Sequence, residues 1–350
     1  VDRWSSSIGY TGAVNTSGPR PAALADVAAA AGVHPSTASR ALGAGTGISA
    51  RTVERVRAVA AELGYRPDPA ASSLRTRRSG LIGVLVPRLT DIVLATIYEG
   101  LDATAAEAGY QTFVANTSDD PEVRRRRLAA LLDRRVDGLV LGDARLEDDL
   151  LPEISARGLP YVLVSRRSRG HLSVTTDDLA GGRLAARHLL QLGHRHVGVV
   201  AGQPFSSTGV ERTQGFRAEF AAAGHPVPDD LVVRGPYDVP SGHAAALRLL
   251  AARPRPTAIF AVNDFNAIGV MGALRETGLQ VGRDVAVVGY NDVSIAAELP
   301  VPLTTVRSAM VEMGRQGMSR LLARAAGSPV RSLRLRPELV ARESSGTHRR

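Results

Sequence analysis

The sequence predicts an α/β chain in two parts: a small all-α module near the N-terminus, then a larger two-lobed α/β region. Three observations carry this. At roughly 150 residues per domain, 350 residues suggest two or three domains. Residues 22–65 are Ala-rich and helix-patterned. From Leu81 onward, short runs rich in Val and Ile alternate with amphipathic segments, the texture of βαβ units around a mostly parallel sheet. Some nine strands over the remaining ~260 residues are more than one compact sheet needs, so two lobes are expected.

Residues 1–20 are polar, rich in Ser and Gly, and aperiodic; they read as a disordered tail without the apolar core of a secretory signal. A cytoplasmic location is the resulting expectation. In the next segment Leu24, Val27, Ala28 and Ala31 share one helix face. Gly32 permits the turn that ends this helix, and Pro35 suits the first position of the next. That second helix turns Ala38, Ala41 and Leu42 inward. A third, Ala50–Leu63, offers Val53, Val56, Val59, Ala60 and Leu63. The whole, 21–67, is a helix-turn-helix with a supporting helix. Residues 68–79 form a linker rich in Pro and Arg. Strand runs follow, among them LIGVLVP, TFVAN, GLVLGD, PYVLVSR, HVGVVAG, TAIFAVND and DVAVVGYND. Helical segments between them include Ile97–Ala108, Glu122–Arg134, Gly181–Leu192, Arg212–Ala223 and Ser241–Ala252.

Composition narrows the function. Cysteine is absent, which excludes disulfides, thiolate metal sites and cysteine nucleophiles. Lysine is absent too, which excludes a Schiff-base or P-loop lysine. No apolar run approaches the ~20 residues of a membrane span. The net charge of +9 is uneven: residues 20–80 hold nine Arg against four acids, a net of +5, while 81–350 carry only +4. A basic block on a near-neutral domain is the footprint of a nucleic-acid-binding module.

The stretches LADVAAAAGVHPSTASRAL and ISARTVERVRAVAAELGYRPDPAASSLRT resemble the lactose-repressor/galactose-repressor (LacI/GalR) family of bacterial transcription regulators. So do DGLVL, LLQLGHRHVGVVAG, ERTQGFRAEF, TAIFAVNDFNAIGVMGALRETGL, DVAVVGYNDV and PLTTVR, in order, over about 21–345. The resemblance implies a periplasmic-binding-protein-like effector and dimerisation domain over 80–345. Lobe one would hold about 80–178 and 294–325, lobe two about 179–293 and 326–345, joined by three crossovers.

It also implies a repressor, binding a pseudo-palindromic double-stranded DNA operator as a homodimer, with a tetramer left open. Pro35, Ser36 and Arg40 fall at the base-reading positions of the second helix. Arg40 can bond bidentately to guanine, worth ~1–3 kcal/mol of discrimination. Thr37 and Ser39 fit phosphate contacts. His34 stands where the family often has a Ser cap; histidine caps less well, so a phosphate-facing role is the expectation. Ala71, Leu74 and Arg75 fall on the hinge helix, with Leu74 as the minor-groove wedge. A small effector, a sugar or related metabolite, would lie between the lobes, contacted by Asp91, Asp178, Arg212, Tyr237, Asp264 and Asn291. No cofactor, metal or membrane partner is implied. One departure stands out: where many members read Ser-Asn-Pro-Phe-Phe, this chain reads Thr90-Asp91-Ile92-Val93-Leu94, without the aromatics.

Two other readings fit less well. An enzyme lacks support: GAGTGIS at 43–49 does not follow a strand, LIGVLVPRLTD has no glycine fingerprint, and no Walker motif, G-x-S-x-G elbow or metal-type His pair occurs. A transport solute-binding protein fits poorly with the attached helix-turn-helix. Arg124–Arg127 is expected to be a solvated helix face rather than a second nucleic-acid site.

Overall fold

The computed structural model describes residues 22–43, 47–65 and 78–346. They fall into two compact units, divided between Arg77 and Arg78. The first holds α1 (Leu24–Ala30), α2 (Pro35–Leu42) and α3 (Ala50–Glu62). Val27, Ala28, Ala31, Ala38, Ala41, Val56 and Ala60 form its core, small enough for the helices to cross closely. Gly32 makes the turn after α1 at φ +63°. Two expectations fail here. Leu63 is 42% exposed, because α3 ends at Glu62 and Leu63 lies beyond its last turn. His34 caps α2 after all: its Nδ1 accepts the Ser36 N–H at 3.3 Å and meets the Ser36 hydroxyl at 2.8 Å.

The second unit begins with β1 (Leu81–Val86), α4 (Ile92–Glu107), β2 (Gln111–Asn116), α5 (Pro121–Asp133), β3 (Gly138–Leu141), α6 (Leu150–Ala156), β4 (Tyr161–Val164) and β5 (Ser173–Thr176). It continues with α7 (Asp178–Gln191), β6 (Val197–Ala201), α8 (Ser207–Ala222), β7 (Val232–Arg234), α9 (Val239–Leu250), β8 (Ala258–Ala261), α10 (Asp264–Glu276), β9 (Ala286–Asn291) and β10 (Thr304–Arg307). It closes with α11 (Met310–Ala325), β11 (Leu333–Leu335) and β12 (Glu338–Val340). Two six-stranded sheets result, ordered β11-β5-β4-β3-β1-β2 and β12-β10-β9-β8-β6-β7. Among the described residues all strand pairs are parallel except β10–β12. The two orders are the same pattern repeated, and each reverses direction beside its first strand, β1 or β6. Strands such as β3 and β8, buried on every residue, carry the continuous apolar runs that a two-sided parallel sheet requires.

The chain crosses between lobes after β5, after β10 and after β11. The lobe boundaries therefore differ from expectation. Thr304–Arg307 lies in the second sheet, where Thr304 pairs with Val288, and Leu333–Leu335 lies in the first, where Leu333 pairs with Val174. Both are short strands of mixed character, so their sequences do not declare which sheet they join. The arginine run also differs. Arg124 is buried, with Nε 3.1 Å from Asp143 and Nη1 2.7 Å from Asp148; only its neighbours face outward.

Three helix pairs pack at backbone distance through reciprocal glycines. A Cβ on Gly100 (α4) would strike the Val311 carbonyl, and one on Gly314 (α11) the Ile97 carbonyl. Gly182 (α7) and Gly215 (α8) are matched the same way against Arg212 and Leu179, and Gly242 (α9) and Gly269 (α10) against Asn266 and Val239.

Candidate functional site

In α2, Pro35, Ser36 and Arg40 are exposed, and Thr37 and Ser39 half-buried, while Ala38 and Ala41 face the core. Arg40 Nε donates to the Ser36 carbonyl at 3.3 Å, which lays the side chain back along the exposed face. Exposed Arg51, Arg55 and Arg57 lie on α3. Such a surface offers donors suited to phosphate and base edges. Ala71, Leu74 and Arg75 lie outside the described residues.

The second site lies where the two sheets face each other across their carboxyl ends. This is where open α/β sheets place ligands, at the point of strand-order reversal. An outer chamber of about 540 Å³ is bounded by Arg88, Asp91, Asp119 and Arg166 of lobe one and by Phe205, Tyr237, Asp238 and Phe265 of lobe two. An inner recess of about 40 Å³ adds Leu94, Thr208, Arg212, Asn263 and Asn291. Ser118, Asp119, Ser165 and Asn291, all in these walls, hold positive φ angles from 56° to 111°. Backbone strain of this kind clusters at ligand sites because the surrounding structure must enforce it.

Each expected effector residue has a definite place. Asp91 caps α4, accepting the Val93 N–H at 3.0 Å, and borders both chambers. Burial raises its pKa, with the Val93 N–H, Arg166, Arg212 and Arg88 pulling the other way. Tyr237 also borders both; its hydroxyl lies 3.3 Å from Thr208 Oγ1 and its ring 5.8 Å from the Arg166 guanidinium. Arg212 and Asn291 line the inner recess.

Arg212 is 5% exposed and firmly held. Its Nε donates to Asp178 at 2.7 Å, its Nη1 donates to the Val262 carbonyl at 2.8 Å, and its guanidinium lies 3.7 Å from the Tyr290 ring centroid. Asp178 itself does not border either chamber. Burial pushes its carboxyl up to about 6, against the pull of Arg212, and its geometric role is to aim Arg212.

Asp264 departs from expectation. It is fully buried, accepting from Thr305 Oγ1 at 2.6 Å and the Val293 N–H at 2.9 Å, and borders neither chamber. Burial pushes its carboxyl up to about 7. As the first residue of α10 it turns under the sheet and ties β10 and the loop after β9 to the helix. Asn263, the α10 cap one residue earlier, takes the place at the recess.

Sequence reasoning missed Arg166 and Phe205. Arg166 follows β4 and is gripped by Asp119 at 2.5 and 2.9 Å; Phe205 follows β6. The only signal is positional: each stands at or just past the end of a recognisable strand run, where open α/β sheets place ligands.

Residues 23–68 match the family described as bacterial regulatory proteins, lacI family, and residues 186–345 match a periplasmic binding protein-like domain. The HTH-type transcriptional repressor PurR of Photobacterium profundum is 30% identical over 328 residues, 92% of this chain and 98% of that protein. The HTH-type transcriptional regulator DegA of Bacillus subtilis (strain 168) is 32% identical over 333 residues, 91% and 97% of the two chains. The lac repressor dimer bound to operator and the anti-inducer ONPF is similar in structure, with a TM-score of 0.85 at 29% identity, covering 93% of this chain and 100% of that one. A transcriptional regulator CelR–cellobiose complex aligns at 0.71 and 32% identity over 92% and 99%. Among the described residues no helix is long and apolar enough to cross a membrane. The chain belongs to the lacI family of bacterial regulatory proteins.

Proposed function

We propose that this protein is a cytoplasmic, sequence-specific DNA-binding repressor that acts as a homodimer on a pseudo-palindromic operator and is controlled by a small effector. The observation that carries the reading is the pairing of two sites in one chain. One is an exposed helix with Arg40 on a separate three-helix unit. The other is a polar cleft at the strand ends of a two-lobed domain. Pro35, Ser36 and Arg40 read bases, Thr37 and Ser39 meet phosphates, and Ala71, Leu74 and Arg75 engage the minor groove from the hinge.

The effector is sugar-like. Phe205, Tyr237 and Phe265 supply apolar faces, and Asp91, Arg166, Arg212, Asn263 and Asn291 supply hydrogen-bonding groups. Each cation in the recess has a carboxylate partner, Arg166 with Asp119 and Arg212 with Asp178, which suits hydroxyls better than a charged ligand. The cellobiose-bound regulator is a relative with a ligand of this class. Ligand changes operator affinity only so far as it binds the two lobe settings with different affinity.

The test is selection of genomic fragments by the purified chain at fixed, near-physiological salt, beside Arg40→Ala. Recovery of a shared palindrome by the parent, weakened in the variant, supports the reading. Equal, sequence-blind recovery by both, with cell extract added as a source of corepressor, refutes it.

A further inference from the structure

On one side of the cleft the two lobes meet through direct contacts, two of them made to Phe205. After β3, the Leu146 N–H donates to the Phe205 carbonyl at 2.9 Å, a backbone bond from lobe one to lobe two. The neighbouring Arg145 guanidinium lies 3.8 Å from the centroid of the Phe205 ring. After β4, the Arg167 N–H donates to Ser207 Oγ at 2.9 Å, and the Arg167 guanidinium pairs with the carboxylate of Glu211 on α8. The Glu211 side chain is only 6% exposed. Two strand-end loops of lobe one thus grip a loop and a helix of lobe two. The residue at the centre of the grip is also part of the outer wall of the cleft.

We infer that these contacts form an interlobe clasp, in which Arg145, Arg167 and Glu211 are positioning residues that fix Phe205 as the aromatic wall of the cleft and bias the lobes toward closure. The inference rests on the reading of the cleft as the effector site. Its physics is local. A cation over an aromatic face and an ion pair removed from water both gain strength as solvent is excluded, so the clasp is strongest when the lobes are closed. Phe205 connects it to the cavity. Arg145 sits over the ring, which borders the outer chamber, and an occupant with a flat apolar face that stacks there adds to the same contact. The clasp also supplies the aromatic that the Thr90–Leu94 segment lacks, from the opposite lobe. Because closure is favoured by protein groups, an effector has to supply only the remaining difference between the two settings. Clasp strength then sets how much effector is needed.

The absence of native cysteine permits a direct test in the full chain. Glu122→Cys on α5 and Ala244→Cys on α9, both exposed, place one spin label on each lobe for pulsed electron resonance. Glu211→Gln and Arg145→Gln should each shift the interlobe distance distribution to longer values. Arg157→Gln, which breaks an exposed ion pair with Glu153 on lobe one, should leave it in place. Distributions that match the parent in the folded clasp variants overturn the clasp, as does an equal shift in Arg157→Gln. Should Glu211→Gln fail to fold by circular dichroism, the half-exposed Arg145→Gln still decides the matter. No DNA or effector enters this measurement. Its failure removes the clasp and leaves the regulator reading to the fragment selection, whose failure in turn leaves the distances standing.

Discussion

Gly182→Ala adds one methyl group where α7 meets α8. The new Cβ would overlap the Arg212 carbonyl oxygen and sit 2.8 Å from the Phe216 nitrogen, both backbone atoms that no rotamer change can move. Ordinary contact begins near ~3.5 Å, so the helices must part by about 1 Å. That movement separates Asp178 on α7 from Arg212 on α8. Their 2.7 Å bond would stretch to roughly 3.7 Å, past hydrogen-bonding distance. Overpacking costs about 1–3 kcal/mol. Loss of a hydrogen bond to a charged group costs about 1.5–3 kcal/mol. The better helix propensity of alanine offsets about 1 kcal/mol. The expected net loss is about 1.5–5 kcal/mol. Gly272→Ala is the matched control: it lies in α10, and its Cβ would meet only His243 Cδ2 at 3.6 Å. Propensity alone acts there, so it should stabilise by up to about 1 kcal/mol. Urea unfolding followed by far-UV circular dichroism measures both. If Gly182→Ala proves as stable as Gly272→Ala, the close-packing argument is wrong.

Asp264 gives a pH signature. Its carboxyl is raised from 3.8 to about 7 by burial, so the folded state binds its proton more tightly than the unfolded state does. The stability it contributes is complete below about pH 4 and is lost as pH rises to about 7, by about 4 kcal/mol in all. In Asp264→Asn the fall in stability across that window should be shallower than in the parent; parallel profiles from urea titrations at pH 5, 6, 7 and 8 would contradict this. His34→Ala removes the α2 cap and should lower the stability of the three-helix unit by about 0.5–1 kcal/mol, the low end for a cap, read as a lower melting temperature; an unchanged melt would show that the ring contributes nothing. Arg40→Ala should weaken operator binding by about 1–3 kcal/mol and relax preference at one base position, while binding to unrelated DNA changes less; equal losses on both DNAs in an anisotropy titration would make Arg40 a phosphate contact.

The strands buried on both faces are legible because the pattern is one-dimensional. LIGVLVP and TAIFAVND can hardly be anything else between polar turns. Helix starts read late. The pattern points to Ile97 as the start of a helix that begins at Ile92, since the cap, Asp91, is followed by a segment with little amphipathic contrast. The β10 and β11 assignments are not legible, because TTVR and LRL are short and mixed in character: β11 joins the first sheet through β5, far earlier in the chain, while β10 is held in the second sheet by β9 and β12. Among site residues, the sequence names Asp264 and Arg212 with equal force. Only geometry separates them: one carboxylate turns under the sheet and the other side chain reaches the recess. Arg166 and Phe205 escape because a single arginine or phenylalanine after a strand has no pattern of its own. Their meaning comes from Asp119 and Arg145, which are distant in sequence.

The placement of β11 and β12 bears on how the chain is made. Each sheet receives one outer strand from residues 333–340, and lobe one waits for α11, which is synthesised after β6–β10 of the second sheet. During translation both halves expose an open strand edge, β5 and β10, until residues 333–340 leave the ribosome. A premature stop before Leu333 would therefore damage both halves at once, and its product should behave as a target for chaperones and proteases rather than as a shortened regulator.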